Sequence, residues 1–209
     1  MRAFVLPVLL CTLATAAGVG TAIAAGSKAV TLSAAPRVVT FGNPTALRGA
    51  VTPAKSNQSV NIQARPCGQT SAMPVLAVKT GPNGTYGAGQ APSMNTAYQA
   101  QWHSVASAEV PVLVRPKIKL QKLAPHKFRV QVTAARSLAG RKAIFQRRTR
   151  KWSTVRKVRL KNMGQVLTTT ISGRGFRSTV RKRRKVRILL SAKQAAPCYV
   201  GGHSNTIHS

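Results

Sequence analysis

Apolar and polar residues alternate along most of the chain, which is the pattern of β-strands with one buried and one exposed face. Residues 127–132 read Lys-Phe-Arg-Val-Gln-Val, and residues 59–64 and 96–102 repeat the alternation with neutral polar partners. Turn sequences separate such runs, for example Gly-Asn-Pro at residues 42–44 and Pro-Asn-Gly at residues 82–84. No window carries a sustained helical stripe. The pattern predicts an all-β fold of antiparallel sandwich type.

The Arg115-Pro116 step divides the chain into two segments of similar length. Residues 26–115 and residues 116–209 each approach the roughly 100 residues of one β-sandwich. Local patterns also recur between the halves, as in Val-Asn-Ile-Gln at residues 60–63 and Ala-Ile-Phe-Gln at residues 143–146. We therefore predict two copies of one sandwich fold in tandem.

The N-terminus has the pattern of a secretory signal peptide. Arg2 precedes an apolar run at residues 3–13, and small residues follow up to Ala-Ile-Ala at residues 22–24, a pattern that signal peptidase cleaves. The run is shorter than the about 20 residues that a membrane-spanning helix needs. We predict a signal peptide at residues 1–25 and a secreted or cell-envelope-associated protein without a transmembrane span. Retention of the signal as a membrane anchor is the alternative.

Removal of the signal peptide leaves two cysteines, Cys67 and Cys198. They fall in different predicted domains, so a disulfide between them would link the two sandwiches in an oxidising compartment. Two independent thiols are the alternative interpretation, and neither cysteine has metal-ligand spacing around it.

Strand-and-turn motifs, rather than a catalytic signature, connect the chain to known proteins. These motifs are residues 30–33, 40–42, 45–49, 83–86, 95–102, 140–142, 145–147, Trp152 and 199–205. In them the chain resembles the tandem immunoglobulin-like β-sandwich domains of secreted and cell-surface proteins from high-GC Gram-positive bacteria. The resemblance covers nearly all of the predicted mature chain. It implies a non-enzymatic module outside the cytoplasm that serves as a spacer, adhesion or binding unit.

The charge of the protein is almost entirely positive. The sequence contains 33 lysine and arginine residues and one acid, Glu109, for a formal net charge of +32. Residues 116–209 carry 25 of the bases and no acid. Such self-repulsion destabilises a compact state unless counter-ions or an anionic partner screen it. A single carboxylate also excludes paired-carboxylate hydrolysis, carboxylate-bound Ca²⁺ or Mg²⁺ and a Ser-His-Asp triad.

Three basic clusters dominate the second half, at residues 141–151, 156–161 and 174–187. We expect the last cluster to form an exposed loop that is mobile without a partner, because residues 181–185 are five consecutive bases. Bases on predicted strands are expected to line the outer face of one sheet; these are Lys127, Arg129, Arg159 and Lys161. Solvation of a sheet face is the alternative role for these charges.

Counter-ion release makes such a surface suited to a polyanion, without readout of its sequence. The predicted polyanion-binding residues are Arg147, Arg148, Arg150, Lys151, Arg156, Lys157, Arg159, Lys161, Arg174, Arg177, Arg181, Lys182, Arg183, Arg184, Lys185 and Arg187.

Aromatic residues divide into two predicted groups. Alternation places Phe128, Phe145, Tyr98 and Trp102 in the core. Two further aromatics have basic neighbours and are candidates for stacking on nucleic-acid bases, namely Trp152 and Phe176.

Enzymatic and metal-dependent functions lack the residues they need. The four histidines are scattered, and none lies close in sequence to a cysteine or an acid. We predict no enzyme activity, no metal, no cofactor and no small-molecule substrate.

The sequence as a whole favours a secreted, non-enzymatic structural or adhesion module of the cell envelope. Its expected partner is an anionic envelope polymer or an acidic polysaccharide, with non-specific binding of nucleic acid as a further interaction. The alternative is a dedicated polyanion or nucleic-acid binding protein that uses the basic segment 174–187.

Overall fold

The computed structural model describes residues 27–209 of the protein. The predicted signal peptide at residues 1–25 lies outside the described residues. Within residues 27–209, regular structure is almost entirely β-strand, and none of the helices found there is long and apolar enough to cross a membrane. The all-β, mainly antiparallel fold predicted from the alternating pattern is confirmed.

Ten strands in the first half form two sheets, which we call the N-terminal sandwich. The strands are β1 (Ala29–Val30), β2 (Ser33–Ala35), β3 (Val38–Thr40), β4 (Thr45–Thr52), β5 (Ser59–Pro66), β6 (Met73–Lys79), β7 (Thr85–Gln90), β8 (Thr96–Trp102), β9 (Val105–Ala106) and β10 (Val110–Arg115). One sheet has the order β1-β4-β2, with β7 also paired to β4. The other has the order β3-β10-β8-β5-β6, with β9 paired to β8. The pairing of β3 with β10 is parallel, and the other pairings are antiparallel.

The remaining strands form two further sheets, which we call the C-terminal sandwich. They are β11 (Lys117–Ala124), β12 (Lys127–Ala134), β13 (Lys142–Arg148), β14 (Trp152–Arg159), β15 (Lys161–Val166), β16 (Thr169–Arg177), β17 (Lys185–Leu190), β18 (Gly202–His203) and β19 (Ile207–His208), with a short helix α1 (Ala192–Ala195) after β17. The sheet orders are β11-β12-β16-β15 and β14-β13-β17-β18, with β19 paired to β17. This is the ABED and C′CFG distribution of strands in an immunoglobulin-like sandwich.

Alternating apolar residues fill the core of both sandwiches. Tyr98, Trp102, Phe128 and Phe145 are each at most 3% exposed, which confirms their predicted core positions. In the C-terminal sandwich the ring centroids of Phe128 and Phe145 lie 5.2 Å apart, and these residues belong to strands β12 and β13 of opposite sheets. The two sheets therefore pack face to face over aromatic contacts.

A disulfide and a hydrogen-bond network join the two sandwiches at one end of each. The Cys67 and Cys198 sulfurs are bonded, so of the two interpretations of these cysteines the structure contains the disulfide. Beside it, the backbone N–H of Asn95 donates to the carbonyl of Cys198 at 2.9 Å. The carbonyl of Asn95 accepts from the backbone N–H of Cys67, and its side-chain Oδ1 accepts from the N–H of Val114, each at 2.8 Å. Asn95 thus fixes the backbone on both sides of the junction.

The basic segment 174–187 is not one loop, contrary to the sequence prediction. Arg174 and Arg177 belong to β16, and Lys185 and Arg187 belong to β17 in the opposite sheet, so that only residues 178–184 connect the two strands. Apolar residues are interspersed among the bases, and their burial in the core places the two ends of the segment in strands. These residues are Phe176, Val180, Val186 and Ile188, all buried or half-buried.

Ser209 lies against the connection between β16 and β17. Ser209 donates its hydroxyl to the carbonyl of Arg181 at 2.6 Å and accepts from the backbone N–H of Arg184 at 3.1 Å. The backbone N–H of Arg183 donates to the carbonyl of Ser209 at 3.2 Å. The segment 181–184 is therefore hydrogen-bonded to Ser209 and its residues are exposed, while its mobility without a partner stays a prediction.

A second correction concerns the bases expected on one sheet face. Lys127 and Arg129 in β12 share a sheet with Lys161 in β15, but Arg159 belongs to β14 in the opposite sheet. The chain passes from one sheet to the other at Leu160, whose side chain is 1% exposed in the core. Apolar and basic residues alternate without interruption through residues 158–161. The alternation therefore gives no sign that the chain changes sheets there.

Candidate polyanion-binding surface

One end of the C-terminal sandwich collects the turns that carry most of the predicted basic residues. The β13–β14 turn at residues 149–151, the β16–β17 connection at residues 178–184 and the β11–β12 turn at residues 125–126 all lie there. Strand pairing shows this, because Arg147 lies opposite Val186 and Lys127 lies opposite Arg177. We call this end the basic end.

The basic end lies at the opposite end of the sandwich from the disulfide. Strand β17 begins with Lys185 at the basic end, and Cys198 follows its other terminus through helix α1. A strand of six residues spans roughly 20 Å. A ligand at the basic end therefore meets the C-terminal sandwich alone, on the side turned away from the junction.

Twelve of the sixteen predicted binding residues converge on the basic end. They are Arg147, Arg148, Arg150, Lys151, Arg156, Arg177, Arg181, Lys182, Arg183, Arg184, Lys185 and Arg187. Ten of these side chains are exposed, whereas Arg147 and Arg187 are half-buried.

Four predicted residues lie elsewhere on the C-terminal sandwich. Lys157 and Arg159 continue along β14 toward the junction, where Arg159 lies opposite Lys142. Lys161 lies in the other sheet, opposite Gly173, and Arg174 lies opposite Val130 near the middle of β16. These residues are exposed, but the register separates them from the basic end.

No acidic side chain neutralises the basic end. The single acid of the sequence, Glu109, pairs with Arg65 in the N-terminal sandwich at 2.6 Å. The hydrogen bond from Arg65 lowers the pKa of Glu109, so that this carboxylate is committed to its own ion pair. The positive potential of the basic end is therefore available to an external anion.

Trp152 lies within the basic end and contacts two arginines. The guanidinium of Arg187 is 4.1 Å from the centroid of the indole ring, and that of Arg148 is 5.9 Å from it. Arg187 Nε also donates to Oε1 of Gln146 at 3.0 Å. Burial, together with the charge of Arg148, lowers the pKa of Arg187. The indole thus holds Arg187 in place over the sheet, and a base can stack on that face only by displacing the guanidinium.

Phe176, the other aromatic considered for base stacking, packs inside the sandwich. Its ring centroid lies 5.0 Å from that of Phe145 and 5.8 Å from that of Phe128. The stacking role considered for Phe176 was therefore wrong, because the alternation of β16 turns this ring toward the other phenylalanines.

A cleft opens between the two sheets at the basic end. It has a volume of about 690 Å³ and is lined by His126, Val155, Arg156, Arg177, Ser178 and Thr179. Sequence reasoning did not identify His126 as part of a site, because its place depends on the turn between β11 and β12. Within residues 27–209, there is no group of three or more His, Cys, Asp or Glu side chains that could hold a metal ion.

Comparison with known proteins identifies no relative by sequence. No protein-family model matches the chain, and no curated protein matches it. Among solved structures, a crystal structure of bovine butyrophilin aligns with 84% of this chain and 98% of its own length, at 10% identity and a TM-score of 0.32. A TM-score this low carries no argument, and the function proposed below depends on the geometry of the chain alone.

Proposed function

We propose that the protein is a non-enzymatic binding module that acts outside the cytoplasm and attaches to an anionic polymer through its basic end. The observation that carries this proposal is the convergence of twelve cationic side chains on one end of a sandwich without an acidic side chain among them. Neutralisation by an external polyanion relieves the repulsion among them, and release of the polymer's counter-ions supplies the driving force.

The position of the basic end suits an attachment role. The disulfide and Asn95 hold the N-terminal sandwich at the opposite end of the C-terminal sandwich. A polymer bound at the basic end therefore leaves the N-terminal sandwich pointing away from it. This arrangement supports a structural or adhesion module of the cell envelope, in which one sandwich anchors and the other is presented.

A dedicated nucleic-acid binder is the second candidate function, and the presence of Trp152 at the basic end favours it. Stacking of bases on aromatic rings is how single-strand binding proteins gain affinity without sequence readout. Arg187 occupies one face of the Trp152 ring, however, at 4.1 Å from its centroid. The geometry supports charge-based attachment to a polymer better than stacking on bases.

The proposal is tested by titrating the full mature chain with two polymers, poly(glycerol phosphate) and duplex DNA, at several salt concentrations. Neutral dextran is the control polymer. We expect the logarithm of the association constant to fall linearly with the logarithm of salt concentration, by about 0.9 for each contacted phosphate of DNA. Tighter binding of the glycerol phosphate polymer supports envelope attachment, and tighter binding of DNA supports the second candidate. Lack of binding to either polymer at low salt contradicts both.

A further inference from the structure

We propose that the cleft at the basic end is a subsite for one tetrahedral oxyanion, a phosphate or sulfate ester group, held between Arg156 on one wall and Ser178 and Thr179 on the other. This inference rests on the proposed function, since it assigns one site on the basic end where a single ester group of the polymer binds. It differs from diffuse attraction because it requires particular donors in a particular place.

Strand β14 is irregular at Val155, one of the residues that line the cleft. Arg156 lies opposite Phe145, whereas Thr154 already lies opposite Gln146, so Val155 is an extra residue in the ladder. The bulge lies in an edge strand of its sheet, where nothing covers the strand on its outer side. Across the cleft from Val155 and Arg156 lie Arg177 of β16 in the opposite sheet and the adjoining Ser178 and Thr179.

Arg156 spans the cleft and lies opposite Phe145 in the strand pair β13–β14. Two residues further along β14, Val158 lies opposite Ala143, and both are buried. Because residues two apart share a face of a strand, Arg156 lies on the inner face of β14. The Arg156 side chain is nevertheless exposed, because the cleft there is open to solvent. Arg156 Nη1 donates to the backbone carbonyl of Arg177 at 2.8 Å, which fixes the guanidinium across the cleft. Its remaining N–H groups are available to an anion.

The opposite wall supplies further hydrogen-bond donors. Ser178 is 8% exposed, and its hydroxyl oxygen accepts from the backbone N–H of Val180 at 3.3 Å, so its own hydrogen is left to donate. Thr179 lines the same wall. His126 is fixed there, because its ring Nδ1 donates to the carbonyl of Ser178 at 3.0 Å and its carbonyl accepts from the N–H of Ser178 at 2.9 Å.

His126 adopts a φ of 59°, in the left-handed region that histidine, asparagine and aspartate enter more readily than other residues with side chains. The turn between β11 and β12 thereby places His126 at the cleft.

The donor set favours a tetrahedral oxyanion over a planar carboxylate. Guanidinium groups bind phosphate through paired, charge-assisted hydrogen bonds. Arg156, Ser178 and Thr179 line one volume. Guanidinium and hydroxyl donors can bind the two non-bridging oxygens of a phosphodiester or the three terminal oxygens of a sulfate ester there. The volume of about 690 Å³ also leaves room for the adjoining organic unit, which Val155 can contact through its half-exposed apolar side chain.

The test follows the imidazole resonances of the full mature chain by NMR during titration with inorganic phosphate, then with sulfate, then with acetate. The His126→Asn variant assigns the His126 signals, since asparagine tolerates the same backbone conformation. We expect phosphate or sulfate to shift the His126 signals saturably, with acetate at least fivefold weaker, and to leave those of His103 and His203 unchanged. The stronger of the first two anions identifies the ester class. Equal shifts at all histidines, or equal binding of acetate, would overturn the subsite.

Three variants separate a subsite from a general charge effect. Arg156→Gln is expected to weaken phosphate binding tenfold or more, while the matched control Arg159→Gln, on the same strand but outside the cleft, changes it less than twofold. Arg156→Lys keeps the positive charge but replaces the planar guanidinium, which can form two parallel hydrogen bonds to one phosphate. We expect this variant to weaken phosphate binding at least fivefold. Phosphate binding by Arg156→Lys that equals that of the unmodified chain would overturn the proposal.

Failure of this subsite is distinguishable from failure of the proposed function. If only the subsite is wrong, Arg156→Gln lowers polymer affinity no more than Lys151→Gln, another single-charge change at the basic end, and the full chain still binds the polymer with a steep salt dependence. If the proposed function is wrong, the full chain binds neither polymer at low salt.

Discussion

Replacement of residues 181–185 by glutamine is expected to lower the affinity for duplex DNA at least a hundredfold at about 0.1 M salt. At about 0.1 M salt, each lost phosphate contact lowers the logarithm of the association constant by about 0.9. Loss of three of the five possible contacts therefore lowers the affinity by more than a hundredfold. The salt dependence should become shallower by about 0.9 for each of these phosphates. All five side chains are exposed, and their segment leads directly into β17, where Val186 lies opposite Arg147 near the β13–β14 turn.

The matched control removes five charges from the other end of the same sandwich. Its substitutions to glutamine are at Lys142, Lys157, Arg159, Lys161 and Lys193, all of which are exposed. Both variants have the same net charge, so a long-range effect of charge lowers both affinities alike. We expect the control to lose less than fivefold in affinity. An equal loss in the two variants would mean that binding follows net charge and not the basic end.

Removal of the disulfide should produce the largest loss of stability. Cys67 and Cys198 are 131 residues apart, so the bond restricts the unfolded chain strongly. The chain-entropy model assigns about 5 kcal/mol to a closed loop of this length. We expect the double variant Cys67→Ser, Cys198→Ser to lose several kcal/mol of unfolding free energy in urea denaturation followed by circular dichroism.

Asn95 provides a comparison within the same junction. Asn95→Ala removes the Oδ1 hydrogen bond to Val114 and leaves the disulfide intact, so a loss of about 1–3 kcal/mol is expected. Neither change is near the basic end, and polymer affinity should therefore stay within twofold. A cysteine double variant that denatures at the same urea concentration as the unmodified chain would contradict the stabilising role of the disulfide.

Local alternation was sufficient to predict strands at residues 59–64, 96–102 and 127–132 and the core aromatics that they carry. Residues 127–132 are strand and place Phe128, Val130 and Val132 in the core, as the period-two pattern indicates. The pattern failed in the segment 174–187, where basic residues outnumber the apolar ones. There, Phe176 and Val186 belong to strands in opposite sheets, and only the complete sandwich shows that both are buried or half-buried.

The basic end could be predicted by residue type but not by position. The sequence contains the cations of residues 147–151 and 181–187 as separate clusters, and strand register alone brings Arg147 beside Val186. Register depends on pairing between residues almost forty positions apart, which no local pattern reports. The same limit explains why Arg159 was assigned to the wrong sheet and why the cleft, which Val155 lines at a bulge in β14, was not anticipated.

Lysine footprinting of the unmodified mature chain tests the location of the binding surface most directly. Brief acetylation in the presence and absence of poly(glycerol phosphate), followed by mass spectrometry, identifies the lysines that the polymer covers. The basic end carries Lys151, Lys182 and Lys185, and the control positions toward the junction are Lys142 and Lys193. We expect protection of the first three lysines and none of the last two. Uniform protection, or protection of Lys142 and Lys193 alone, would contradict binding at the basic end.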